Sequence, residues 1–473
     1  MYLGLDLGTS SLKALLIDDD QRIVAEATRP LTVSRPHDGW SEQDPESWVA
    51  AARAVIEEIG TRVDLGLVRG VGLSGHMHGA TLVGEGGEVL RPCLLWNDTR
   101  SAVEAAEMDT DPRFRRITGN IVFPGFTAPK VEWVRRHEPE VFSRMAKVLL
   151  PKDYLRLALT GEAVAEMSDA AGTSWFDTGA RDWSDELLEI CGLDRNRMPR
   201  LVEGSETSAT VAPGWGLPEV PVAGGGGDNA AAAVGAGVVR EGQAFVSLGT
   251  SGVLFAANDG YRPDPATAVH TFCHALPGTW HQMGVILAAT DALEWLSRLT
   301  GRAAAELTAG LGDLRPPGRT LFLPYLGGER TPHNDARIRG QFLHLDHATD
   351  ATEAARAVIE GVTFAFVDCR DALAATGTAI DSALALGGGA RSDYWLRALA
   401  TALGVPLRKP AAGEFGAALG AARLGLMAAT GAGSEVATEP PIAATIDPDP
   451  TQADAWAEGH DRYRAAYAAL KGL

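Results

Sequence analysis

Leu5-Asp6-Leu7-Gly8-Thr9-Ser10-Ser11 decides how this chain is read, because Val246-Ser247-Leu248-Gly249-Thr250-Ser251-Gly252 writes the same pattern a second time. In each copy an apolar strand runs into a turn of glycine and small hydroxyl residues. A second apolar stretch returns from that turn, Leu12 to Asp18 in the first copy and the rest of Gly242 to Ala256 in the second. Such turns expose backbone N–H groups that can cradle phosphate oxygens. One heptad alone would be an ordinary β-turn. Two of them, each at the head of a β-rich stretch, predict two copies of one domain facing each other. Asp6 of the first copy is replaced by Ser247 in the second. One cation needs one principal carboxylate, so the asymmetry fits a single nucleotide between two hairpins, with magnesium held near Asp6 through water.

The bulk properties agree. At 473 residues the chain is too long for one core, and two large domains are expected. A formal net charge of -19 argues against nucleic acid or an anionic membrane as the main partner, while leaving a local nucleotide site open. Cys93, Cys191, Cys273 and Cys369 form no CxxC pair, so neither a zinc site nor a disulfide framework is expected. Tyr2-Leu3-Gly4-Leu5-Asp6 lacks the basic and apolar regions of a signal peptide, and the longest apolar runs are too short to cross a bilayer. A cytoplasmic protein is the expectation.

Between the two heptads stands Val222-Ala223-Gly224-Gly225-Gly226-Gly227-Asp228-Asn229, followed by alanines. A short strand gives way to a loop without side chains, and a helix begins at Asp228 or Asn229. Glycines let another molecule approach the backbone, so the carboxylate sits where a substrate hydroxyl can lie. Asp is also a favoured helix N-cap, and the stretch by itself does not decide between the two. Ser74-Gly75-His76-Met77-His78-Gly79 follows the strand Leu67 to Leu73. Its two histidines have no third ligand at metal spacing, and a soft apolar side chain beside an imidazole suits a sugar better. Trp96 and Asn97, where Leu94 to Arg100 breaks into polar residues, form a second binding edge.

Further along, Ala383 to Leu386 runs into Gly387-Gly388-Gly389-Ala390-Arg391-Ser392 and then a helix through Trp395, Leu399 and Leu403. A strand, a glycine turn and a helix can wrap an adenosine or a phosphate. No GxxxxGK[ST] is present, so the phosphate site is not a P-loop. Arg195 to Pro221 reads as loop, His281 to Leu299 as largely helical, and Ala351 to Thr376 as one long helix. The chain past Gly431 ends in an amphipathic helix carrying Trp456, Tyr463 and Tyr467.

With these motifs in order, the chain resembles the FGGY carbohydrate kinases across nearly its whole length. The residues that carry the resemblance are Leu5 to Ser10, Gly75-His76-Met77-His78-Gly79-Ala80-Thr81, Leu95-Trp96-Asn97-Asp98 and Phe126-Thr127-Ala128-Pro129-Lys130. They continue with Pro151-Lys152-Asp153-Tyr154-Leu155-Arg156-Leu157, Gly226-Gly227-Asp228-Asn229-Ala230-Ala231 and Gly387 to Ser392. The resemblance implies an α/β fold of two actin-like ATPase domains, each with a ribonuclease-H-like core, flanking a catalytic cleft. Residues 1–240 would carry the sugar site, the first phosphate hairpin and the catalytic base. Residues 241–430 would carry the second hairpin and the adenosine site, and 431–473 a helical tail. The resemblance also implies that Asp228 takes the proton from the sugar hydroxyl and that Asp6 is required for activity. Met77 and His78 would line the sugar site, with Asn229, Trp96 and Asn97 beside them. Gly8, Thr9, Ser10, Gly249, Thr250, Ser251, Gly387, Gly388, Gly389 and Ser392 would serve ATP. His76 stands where the family carries Gln.

The expected reaction is ATP-dependent phosphorylation of a neutral ketose at its terminal C5 hydroxyl. Ribulose and glycerol are the alternatives within the family. An acid sugar such as gluconate would want Arg or Lys facing it, and Met77-His78 offers neither. A non-catalytic actin-like ATPase switch is the alternative outside it. The partners expected are a small sugar, ATP with magnesium and, at most, a second copy of the chain in a homodimer, with no nucleic acid and no membrane.

Overall fold

The computed structural model describes residues 1–411 and 416–472, which form two compact units. The first contains Met1–Val239, Phe272–Trp280 and, from far downstream, the helix Ala417–Thr430. The second contains Arg240–Thr271, residues 281–411 and the chain from Pro440 onward.

In the first unit Tyr2–Leu7 pairs antiparallel with Ser11–Ile17, which pairs antiparallel with Ile23–Pro30. On its other side Tyr2–Leu7 runs parallel to Gly70–Gly75. That strand runs parallel to Pro221–Ala223 and, further along, to Gly226–Gly227. Thr207–Thr210 finishes the sheet antiparallel to Pro221–Ala223. Side chains alternate across each strand, so the two faces carry different residues. Leu3, Leu5 and Leu7 share a buried core with Trp48, Ala52, Val55, Ile56 and Ile59 of the helix Pro45–Gly60. That helix starts where the sequence signals it, with Asp44 accepting from Glu46 N at 3.1 Å and Pro45 in the first turn.

On the opposite face Tyr2, Leu15 and Ile17 form a small cluster with the helix Ala417–Thr430, and Gly4, Gly70 and Gly72 let that helix come close. A Cβ added to Gly4 would run into the carbonyl of Ala418, one on Gly70 into Gly425, and one on Gly72 into Ala421. Gly420 likewise meets the carbonyl of Ala231 in the helix Asp228–Ala236. The Ala- and Gly-rich helix Ala417–Thr430 therefore packs backbone to backbone against both sheet and neighbouring helix. Arg423 is buried there and donates at 2.9 Å to the carbonyls of Val234, Gly235 and Thr438. It thereby supplies donors that the last turn of Asp228–Ala236 lacks.

The second unit repeats the hairpin. Gly242–Leu248 pairs antiparallel with Gly252–Asn258 and parallel with Ile380–Leu386. The sheet order, by strand, is His270–Cys273, Trp280–Ile286, Gly252–Asn258, Gly242–Leu248, Ile380–Leu386, Leu407–Pro410 and Ile442–Ile446. The helices Ala351–Ala375 and Asp393–Leu403 pack on it, with Trp395, Leu399, Trp456 and Tyr463 buried in the shared core. The two hairpins are not in identical register. Leu7 pairs with Leu12, whereas Leu248 pairs with Gly252, so the second turn is one residue tighter.

Two local expectations are corrected. The stretch from His281 is the strand Trp280–Ile286 before the helix Thr290–Thr300 begins. Gly284 packs against Cys369, where an added Cβ would lie 2.5 Å from Cys369 Cβ, so close sheet-to-helix packing overrides local helix preference. Arg195 to Pro221 is not all loop, since Arg200–Val202 pairs with Val164–Glu166 and Thr207–Thr210 joins the main sheet. No helix among the described residues is long and apolar enough to cross a membrane.

The close packing of the Ala417–Thr430 helix has a direct test. Gly72→Ala should destabilise the protein by about 3 kcal/mol or more, because both clashing groups are backbone. Gly327→Ala, where nothing lies within 4 Å of an added Cβ, should leave the thermal midpoint unchanged. Equal midpoints for the two variants in calorimetry would refute this packing.

Candidate active site

The site of the first unit follows from strand register. Asp6 lies opposite Ser74 on one side of Gly70–Gly75, and Gly226 lies opposite the same Ser74 on the other. Leu7 and Gly227 flank Gly75 in the same way. The next residue after Gly227 is Asp228, so two carboxylates straddle the end of one narrow strand. Asp228 does not cap its helix. Gly227 occupies the N-cap position and Asp228 is the first helical residue. Its Oδ1 accepts from Asn229 N at 2.7 Å and from Asn229 Nδ2 at 2.9 Å. One carboxylate oxygen is thus anchored and the other remains for a further donor. Although Asp228 keeps some contact with solvent, burial of its carboxyl and the facing charge of Asp6 raise its pKa to about 6, against the bonds from Asn229.

Met77 and His78 complete this corner. Met77 is 5% exposed and lies on the glycine loop, where a Cβ on Gly227 would come 2.8 Å from Met77 Cγ. His78 takes a left-handed backbone, φ 69°. Its carbonyl accepts from Thr127 Oγ1 and Lys130 Nζ, both at 3.0 Å. Its ring nitrogen Nδ1 lies 2.8 Å from the carbonyl of Gly172. A carbonyl only accepts, so Nδ1 carries the proton and Nε2 is the acceptor of the neutral ring. The ring stacks on Phe126 with centroids 4.5 Å apart. Trp96 is 49% exposed, and its indole N–H donates to Thr9 Oγ1 at 3.0 Å, tying this binding edge to the phosphate turn. Asn97 follows it, with a buried Oδ1 that has no hydrogen-bond partner among the described residues. His76 is buried instead, edge-on to Trp48, and burial lowers its pKa to about 3, with Lys130 adding to the effect. The departure from the family pattern therefore falls on a neutral core side chain.

In the first hairpin turn, Thr9 O accepts from Gln43 Nε2 at 2.7 Å and Ser10 O accepts from Leu31 N at 2.8 Å. In the second, Gly249 O accepts from Thr290 N and Oγ1 at 2.9 and 2.8 Å, and Thr250 O accepts from Ala289 N at 2.8 Å. Both turns direct their carbonyls into the protein. Among the described residues, the amides of Thr9, Ser10, Thr250 and Ser251 donate to no protein atom. Leu386 pairs with Ser247, which brings the Gly387–Gly389 turn beside the second hairpin. An added Cβ would lie 2.6 Å from Leu248 O at Gly387 and 2.8 Å from Leu248 Cβ at Gly389. Ser392 caps the helix Asp393–Leu403 by accepting from Trp395 N at 3.3 Å.

Sequence reasoning missed what holds the glycine loop in place. Gly227 N donates to Ser168 Oγ at 3.0 Å, and that hydroxyl donates to Glu166 Oε2 at 2.8 Å. Lys152 Nζ lies 2.6, 3.3 and 3.0 Å from Asp153, Glu166 and Asp169, all fully buried. Arg156 donates at 2.5 Å to the carbonyls of Ala223 and Gly224. The available signal was Pro151-Lys152-Asp153-Tyr154-Leu155-Arg156, whose Lys152, Asp153 and Arg156 share one side of a short helix and can compensate one another when that side is buried. Gln43 gave no local signal, because its partners are Thr9 and Trp48.

Among the described residues no group of three His, Cys, Asp or Glu side chains converges as a metal centre. A pair of facing carboxylates still fits a hydrated magnesium ion, which keeps most of its water and needs few protein ligands.

Residues 1–235 match the N-terminal domain, and residues 244–429 the C-terminal domain, of the FGGY family of carbohydrate kinases. The chain is 47% identical over 482 residues to a xylulose kinase of Escherichia coli strain K12, covering all of both chains. It is 49% identical over 431 residues to a xylulose kinase of Klebsiella pneumoniae, covering 90% of this chain and 89% of that one. The crystal structure of a xyloylose kinase from Brucella ovis superposes with a TM-score of 0.98 at 58% identity over 99% of each chain.

The carboxylate pair predicts a titration in the metal-free protein. Asp228 should titrate near 6 in carboxyl-carbon NMR. Asp6→Asn removes the facing negative charge, so the ionised form is opposed less and the midpoint should fall. It should stay above that of an exposed Asp, because burial is the larger cause. A midpoint unmoved by Asp6→Asn would show that the two carboxylates do not interact.

Proposed function

The chain belongs to the FGGY family of carbohydrate kinases and is an ATP-dependent sugar kinase, and from that premise we propose that it phosphorylates D-xylulose at the C5 hydroxyl. The products are D-xylulose 5-phosphate and ADP. The observation that carries the reading is Asp228, with one oxygen anchored by Asn229 beside the Met77-His78 loop and across from Asp6. The names of the full-length relatives point to the sugar.

In the proposed reaction Asp228 takes the proton of the sugar hydroxyl as that oxygen attacks the γ-phosphorus of ATP. The bond from that phosphorus to the bridging oxygen breaks, and ADP leaves with the electron pair. Phosphoryl transfer is mostly positioning and charge neutralisation. Met77, His78, Trp96, Asn97 and Asn229 orient the sugar. Gly8 with the amides of Thr9 and Ser10, Gly249 with the amides of Thr250 and Ser251, and the turn Gly387–Gly389 with Ser392 bind ATP. Asp6 would hold magnesium through water, and the ion would supply charge neutralisation to the phosphates. Residues 1–240 then serve as the sugar and base domain, 241–430 as the nucleotide domain, apart from the helix Ala417–Thr430 that packs in the first unit, and 431–473 as a tail that adds the strand Ile442–Ile446 and the last helix to the second unit. We place the enzyme in the cytoplasm, where ATP is available, and allow it a homodimer.

A neutral ketose is favoured over an acid sugar because no Arg or Lys accompanies Met77 and His78 in the loop. ADP release measured with D-xylulose, D-ribulose, glycerol and gluconate tests this. D-Xylulose should give the highest kcat/KM, and a higher value for any of the others would overturn the assignment. Asp228→Asn should lower kcat about 10²–10⁴-fold, the usual loss on removing a general base. Its KM for ATP should stay within about twofold; full turnover in this variant would remove the base role.

A further inference from the structure

Lys130 is 0% exposed, yet it forms no ion pair among the described residues. Asp98, the carboxylate that acts on it electrostatically, is already bound to Arg100 at 2.7 Å. A buried ammonium is costly unless something compensates it. Its compensation is two carbonyls from separate segments, His78 O at 3.0 Å and Gly125 O at 2.6 Å. A methionine would fill the same volume. Only a multiple donor can gather both carbonyls.

Both carbonyls lie at the edges of the sugar corner. His78 holds a left-handed backbone, which a non-glycine residue keeps only where its surroundings over-determine it. Lys130 and Thr127 supply two donors to the same His78 oxygen. Gly125 abuts the other edge, since a Cβ there would collide with the carbonyl of Trp96. One ammonium therefore ties the His78 loop to the support of Trp96. We propose that Lys130 is a positioning residue, which fixes His78 in its left-handed conformation and keeps the two edges of the sugar site in register. Burial lowers its pKa to about 7, and the neutral amine still has two N–H groups for two carbonyls, so the bridge survives either protonation state.

The inference rests on the reading of His78 as a sugar-binding residue, and two measurements on the full chain separate the two claims. In the crystal structure of Lys130→Met, His78 should leave the left-handed region. In steady-state kinetics its KM should rise about tenfold or more for whichever sugar of the panel the wild type accepts, as expected for loss of a charged buried hydrogen bond. The KM for ATP should stay within about twofold, a split that general loosening of the fold would not produce. If His78 keeps its conformation, the positioning role is overturned. If His78 moves while the sugar KM does not, the positioning role stands and the sugar-site reading fails. Should Lys130→Met not fold, Lys130→Gln, whose shorter side chain cannot gather both carbonyls, takes its place, and the same two measurements decide in the same sense.

Discussion

Two carboxylates held close together on either side of one glycine-rich strand are the constraint from which the rest of the first unit follows. Gly70–Gly75 is narrow because Gly70, Gly72 and Gly75 carry nothing, and Ser74 is the residue flanked by Asp6 and Gly226. A larger residue at Gly227 would strike Met77, and one at Gly72 would strike the helix behind the sheet. The carboxylates therefore sit near each other because the backbone cannot move them apart. Their repulsion and burial keep Asp228 in a partly proton-seeking state. That is the property a base needs, and it follows from packing.

Holding a strained corner of this kind requires a rigid support. The support is ionic and buried, which is an unusual choice, since such clusters often add little net stability. Here Lys152 and Arg156 face Asp153, Glu166 and Asp169, one carboxylate more than the cations can neutralise. Burial pushes the Asp169 carboxyl well above its ordinary range, with Lys152 opposing and Asp153 and Glu166 reinforcing the shift. A retained proton then brings the cluster close to neutrality. What the cluster gains over an apolar core is direction. Glu166 aims Ser168 at the Gly227 amide, and Arg156 reads the carbonyls of Ala223 and Gly224. Leucines in these places would pack as well but would leave the glycine loop free to slide.

The legible part of the sequence was the part written in short repeats. The two heptads, the glycine runs and the helix start at Asp44-Pro45 are local signals, and each became the element expected of it. Asp6, Asp228, Met77 and His78 were singled out because they stand beside those signals. What stayed hidden depends on partners distant in sequence. Trp280–Ile286 forms a strand because Gly284 fits against Cys369, and nothing near residue 284 announces that fit. Gln43 supports Thr9 across 34 residues of chain, and Lys130 supports His78 across 52. The helix Ala417–Thr430 packs with the first unit because its small residues match glycines more than three hundred positions upstream.

The duplicated hairpins show how one fold serves two electrostatic tasks. Both bury their turn carbonyls, the first against Gln43 and Leu31 and the second against the start of Thr290–Thr300. Among the described residues, the amides of Thr9, Ser10, Thr250 and Ser251 consequently donate to no protein atom. An amide cradle is a backbone property, so it survives divergence of the side chains around it. A carboxylate is a side-chain property and must be kept deliberately. Ser247 at the position of Asp6 leaves the second turn without that carboxylate, so its unpaired amides are its main polar feature. The looser first turn, which lies beside Trp96 and Gln43, is the copy that retains the charge.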